Sequence, residues 1–239
     1  MALVKFDRGL FPNGNTAKGL NYGQIEPNQV WFDRAGMIEA QCKLDTDCFS
    51  DSQEAPNAVY ASGSQKIVAQ VGAFLQVNKQ TYTATIPTEA GLDAGFPVGI
   101  NYSTERLYDD NAKQRRKFFL TTEDWLPRIG YVERGMRITT NTVQWDNAGS
   151  TTAVGGKTVT FNTADSKVFY DSVKDFIAEG GILYAAVLDG SDGELVIVGD
   201  TIPTGVGTKP IILAQVVAAY SNADRTCSFM FQILDGGTK

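Results

Sequence analysis

Along residues 38–44 apolar and polar positions alternate, with Ile38, Ala40, Cys42 and Leu44 on one side and Glu39, Gln41 and Lys43 on the other. A period of two predicts one half-buried strand over that stretch. A shorter strand is expected at residues 29–32. Residues 66–86 are rich in β-branched positions until Pro87 ends them, which fits two or three more strands. The period changes once, at residues 165–179. There Phe169, Val173, Phe176 and Ile177 share a helical face, Asp165 or Ser166 can cap the start, and Gly180 and Gly181 stop the end. Two hairpins follow, 182–188 with 194–198 and 211–220 with 227–234, each around a polar turn. Their apolar runs are nearly continuous, so these strands are expected to be covered on both faces, by the helix or by another subunit.

Before the first strand, residues 1–27 mix single apolar side chains with Asn, Gly and Pro and keep neither period. They read as an extended arm. Ordering such a segment costs about 1–2 kcal/mol per residue, so its apolar side chains gain little unless they dock, across their own domain or against a neighbour; the alternative is a frayed terminus. Val4, Phe6, Leu10, Phe11 and Tyr22 are the expected contacts with a neighbouring subunit. The fold class expected is mainly β, all-β or α+β. It would be an antiparallel β-sandwich or barrel body with one helix in the C-terminal half and the arm in front. A polar stretch near residue 147 divides a β-rich domain, 28–146, from a smaller β domain with the helix, 147–239; the two can also form a single domain.

Composition narrows the chemistry. The 239 residues include no histidine, which closes histidine-served nucleophiles and zinc sites built from Cys and His. Glycosidase-type carboxylate pairs stay open among 27 acidic residues, but no spacing singles one out. No enzyme, catalytic residue, cofactor or metal site is therefore expected. A net charge of -6 argues against nonspecific nucleic acid or anionic membrane binding. With no apolar run of spanning length and no signal peptide in the opening residues, the chain reads as soluble and made in the cytosol. Cys42, Cys48 and Cys227 are an odd number and read as reduced, although a Cys42 to Cys48 bridge can be drawn.

Four local features invite a sharper reading. Asp45, Asp47 and Asp51, and the run from Asp189 to Glu194, offer clustered oxygens for calcium. Neither keeps the helix-loop-helix pattern, and a solvated loop and a tight turn account for them. The glycines at 204–209 lack the phosphate-loop spacing and are followed by Pro210. The basic run at 113–117, beside Phe118 and Phe119, could meet nucleic acid, but Asp109, Asp110, Glu123 and Asp124 largely cancel its field, so a salt-bridge network is expected there. Trp31, Trp125 or Trp145 could form the platform of a carbohydrate-binding β module, although burial is the commoner fate of tryptophan.

The segments FPVGINYSTERLYDD at 96–110, WLPRIGY at 125–131 and RITTNTV at 137–143 carry a resemblance over about half of the chain, together with AQVV at 214–217 and FMFQIL at 229–234. In these the sequence resembles virion structural proteins of tailed bacteriophages, of the capsid decoration or cement type. The resemblance implies a protein without catalytic residues, made in the host cytoplasm and located on the capsid surface. It implies self-association as a homotrimer at symmetry axes and binding to the major capsid protein, stabilising the shell against internal pressure. Another virion subunit, of the tail tube or the major shell, shares the same logic.

Overall fold

The computed structural model describes residues 2–6, 30–33, 36–38, 42–45, 48, 72–106, 125–147, 153–205, 208–221 and 227–236. The fold is mainly β. Strands β1 (Leu3–Lys5), β2 (Val30–Phe32), β9 (Arg137–Thr140) and β10 (Val143–Asp146) join β13 (Leu183–Val187), β14 (Leu195–Gly199), β15 (Ile212–Ser221) and β16 (Cys227–Gly236) in one eight-stranded sheet. Its order is β1-β10-β14-β13-β15-β16-β9-β2. Strands from both sides of residue 147 thus interleave in a single sheet. All its pairs are antiparallel except β10 with β14.

A second sheet has six strands: β3 (Gly36–Ile38), β4 (Lys43–Leu44), β5 (Phe74–Asn78), β6 (Thr83–Thr85), β7 (Val98–Arg106) and β8 (Trp125–Tyr131), in the order β3-β8-β7-β5-β6-β4. The single strand expected at 38–44 is therefore corrected to two. Ile38 ends β3, paired with β8, whereas Lys43 and Leu44 form β4, paired in parallel with β6. Alternation records which side of a chain is buried and is blind to which partner supplies the hydrogen bonds, so two short strands read as one. A small hairpin, β11 (Ala153–Val154) and β12 (Lys157–Thr158), stands apart.

The expected helix is present as α2 (Ser166–Ala178), after a short α1 (Glu89–Asp93) that the sequence reading did not anticipate. Asp165 caps α2 by accepting from the amides of Lys167, at 2.8 Å, and Val168, at 3.2 Å. Gly180 closes it at φ +83°, where its amide donates to Ile177 O and the Gly181 amide to Phe176 O. Its buried stripe, Phe169, Tyr170, Val173 and Phe176, lies on the main core. There Trp145 stacks on Phe169 with centroids 4.4 Å apart and donates its indole N–H to Thr163 O at 3.0 Å. Phe74, Val98 and Ile100 of the second sheet complete the same core. The other side of that sheet packs Leu75, Val77, Ala84 and Ile129 against Cys42, Leu44 and Cys48. Among the described residues no helix is long and apolar enough to cross a membrane.

Candidate functional site

The residues expected in an N-terminal arm divide. Leu10, Phe11 and Tyr22 lie outside the described residues, whereas Val4 and Phe6 belong to the body of the protein. Val4 pairs with Trp145 across β1 and β10 and packs on the main core. Phe6 is 6% exposed, its ring edge-on to Phe229 at 5.1 Å and tilted to Tyr170 at 6.5 Å. Both face inward because β1 continues the alternation of the sheet, turning Val4 toward the helix side and Leu3 and Lys5 away from it. Neither side chain is free to meet a neighbour while β1 stays in place.

Lys5 reaches the turn between β13 and β14. Its ammonium lies 3.0 Å from Glu194 Oε1 and 3.2 Å from Asp192 Oδ2. The second Glu194 oxygen accepts from Gln144 Nε2 at 2.8 Å, and the same amide donates to Ser191 O at 3.0 Å. Ser191 is fully buried; its hydroxyl accepts from the Leu188 amide and donates to Glu194 O. The run 189–194 is a tight turn whose buried carboxylate is committed to Lys5 and Gln144. Gly193 permits the turn to pack. It sits at φ +77°, and a Cβ there would lie 2.2 Å from Phe74 O of the second sheet.

The electrostatics follow from unequal burial. Loss of hydration pushes the Glu194 carboxyl above its usual range, and Lys5 and Gln144 offset only part of that. Burial draws the Lys5 ammonium down, but Glu194 and Asp192 more than compensate and its pKa ends raised. The half-exposed lysine keeps much of its water and gains from the pair, while the enclosed carboxylate loses more than it regains.

The side of the eight-stranded sheet turned away from α2 is the second feature. Tyr184, Leu213, Gln215, Met230 and Gln232 lie there half-buried. Tyr220 is 41% exposed and its hydroxyl donates to Met230 Sδ at 3.7 Å. β13, β14 and β15 hold no charged residue, and β16 holds only Asp235. Toward the β1 edge the same side carries a small apolar cluster of Leu3, Ala186, Leu188, Val196 and Val198. A water-facing sheet side normally alternates to charged or strongly polar residues. This one does not.

The remaining candidates carry less. Trp145 is fully buried, so it offers no sugar platform; Trp31 and Trp125 lie on β2 and β8. Cys42, Cys48 and Cys227 are buried thiols, in no disulfide, and Cys48 donates to Ala84 O at 3.3 Å. Burial raises Cys42 and pushes Cys227 to about 12, which disfavours the reactive thiolate. Asp45 is described and half-buried, while Asp47, Asp51 and the basic run 113–117 lie outside the described residues. Thr204 and Lys209 border a cleft of about 410 Å³ with Leu92, Ile202, Pro210 and Leu213. The Lys209 ammonium there pairs with Asp93 at 3.3 Å. The sequence reading missed the joining of Lys5 to Glu194, because only the order of strands brings residues 189 positions apart into contact. Comparison with family models, with curated proteins and with solved structures gives no match for this chain.

Proposed function

We propose that the chain is a structural protein that fastens to copies of itself and to a larger shell: a capsid decoration protein of a tailed bacteriophage, acting as a trimer on the major capsid protein. The observation that carries the reading is the side of the eight-stranded sheet turned away from α2. In a chain of net charge -6, copies repel one another through most of their surface. A side whose central strands hold Tyr184, Leu213, Gln215 and Met230, with Asp235 their one carboxylate, is where such copies can meet with few opposing like charges. A stable contact needs about 800 Å² from each partner, and repetition around a shell multiplies weak contacts. The absence of histidine from the sequence and the resemblance to decoration proteins point the same way.

The test pairs solution mass with shell binding. The purified chain is expected to sediment as an oligomer, trimeric in the proposal, and to co-sediment with phage shells lacking their own decoration, raising the temperature at which they open. Leu213→Asp together with Met230→Asp should abolish the oligomer while leaving the fold intact. A monomer at tens of micromolar that ignores such shells would overturn the proposal. Growth of the chain alone into tubes or closed shells would reassign it to another virion subunit.

A further inference from the structure

β1 is one of the two edge strands of its sheet. It is three residues long, and it bonds on one side only, to β10. The residues that recognise it come from distant parts of the chain. Phe229 and Tyr170 receive the Phe6 ring, Asp192 and Glu194 receive the Lys5 ammonium, and Val143 O accepts from the Phe6 amide at 2.7 Å. Gln144 and Glu194 are 2% and 3% exposed. The β10 edge is thus a built socket, with an apolar pocket and a buried carboxylate set for one short segment of stated chemistry: an ammonium followed by an aromatic ring.

That segment is far in sequence from the next strand of its sheet. β1 and β2 form opposite edges of the eight-stranded sheet, roughly 34 Å apart at the usual strand spacing. Residues 7–29 join them, and a chain of that length reaches roughly 75 Å when extended. Residues 2–6 can therefore reach the same socket on an adjacent copy. Exchange replaces every contact by an identical one, so contact energy does not oppose it and concentration decides between the two arrangements.

We propose that residues 2–6 are exchanged between copies, each strand filling the β10 socket of the next. This deepens the proposed self-association and rests on it. A cyclic exchange closes a ring, and pairing with β10 covers an edge that would otherwise be open to unspecific strand addition.

The test uses the unaltered full chain. Carbodiimide joins an ammonium to a carboxylate in direct contact, and Lys5 meets Asp192 at 3.2 Å. Equal amounts of nitrogen-15-labelled and unlabelled chain are unfolded, mixed, refolded together and sized. The oligomer is then cross-linked, and the peptide pair joined through Lys5 and Asp192 is weighed by mass spectrometry. Exchange predicts that about half of these pairs combine one labelled and one unlabelled partner. Oligomers whose pairs are all unmixed would overturn the exchange and leave self-association standing; monomers throughout would overturn both. An independent arm mixes two full-length variants, Leu3→Cys and Asp146→Cys, whose positions face each other in the non-hydrogen-bonded register that suits a disulfide. Under mild oxidation a product holding one of each chain is expected in the oligomer, and its absence from oligomers of the two folded variants would count against exchange.

Discussion

Truncating Phe6 to alanine tests whether the first residues are part of the body or an accessory to it. The ring is 6% exposed and lies edge-on to Phe229 at 5.1 Å. Burying a phenylalanine side chain contributes about 2–3 kcal/mol, and an edge-to-face contact adds about 1 kcal/mol. Alanine would leave a cavity beside Tyr170 and Phe229, and Phe→Ala changes in cores cost about 3–5 kcal/mol. Because β1 is an edge strand, it can relax inward, so the expected loss is near the lower end, about 3 kcal/mol. With a urea slope of about 3 kcal/mol per molar, the unfolding midpoint should fall by about 1 M at unchanged slope. The assay is equilibrium urea unfolding followed by far-ultraviolet circular dichroism, with hydrogen exchange at the Phe6 amide as a local check. A loss of about 0.5 kcal/mol or less is what a surface position gives; that result would mean that β1 is not docked in solution, and the socket argument would fail with it.

Three further outcomes follow from the geometry. Gly193→Ala should destabilise by about 3 kcal/mol, since its Cβ would strike Phe74 O; Gly190→Ala, at φ +78° with nothing within 4 Å, should cost only about 1 kcal/mol, and equal thermal shifts would refute the contrast. The pKa of Lys5 is raised above 10.5 in the folded protein, so its contribution is complete below that pH and disappears as pH rises through the folded value. Unfolding monitored between pH 9 and pH 12 should show a loss of stability that Lys5→Met lacks. Glu194 is also raised, so its contribution grows as pH falls, and mild acid should not release the turn through this group. In native protein at pH 8 a thiol reagent should find none of the three cysteines, and all three after denaturation; rapid native labelling would contradict their burial.

Local signals were legible where one segment carries its own reason to adopt a shape. α2 shows its cap, stripe and glycine stop within the span from Asp165 to Gly181, and the strands of both C-terminal hairpins are separated in sequence by short polar stretches. The mainly β character followed from the same patterns. Pairing was not legible. Val143–Asp146 lies in parallel beside Leu195–Gly199, a pairing between distant segments that neither segment's own pattern encodes. α1 escaped because five residues give no period, and its signal is a single cap in which Thr88 accepts from the Gly91 amide. Val4 and Phe6 read as arm residues because three residues of strand cannot establish alternation, and their inward direction comes from β10.

The pairing of Leu3–Lys5 with Val143–Asp146, and of that strand with Leu195–Gly199, also sets an order of events during synthesis. Leu3–Lys5 belong to a sheet margin whose next two members emerge from the ribosome only after residues 146 and 199. At about 5–20 residues per second, β10 follows Leu3–Lys5 by roughly 7–28 s, during which that strand has no native partner of its own. Nascent chains stalled before residue 140 should therefore lose residues 2–6 to a protease that spares the folded protein.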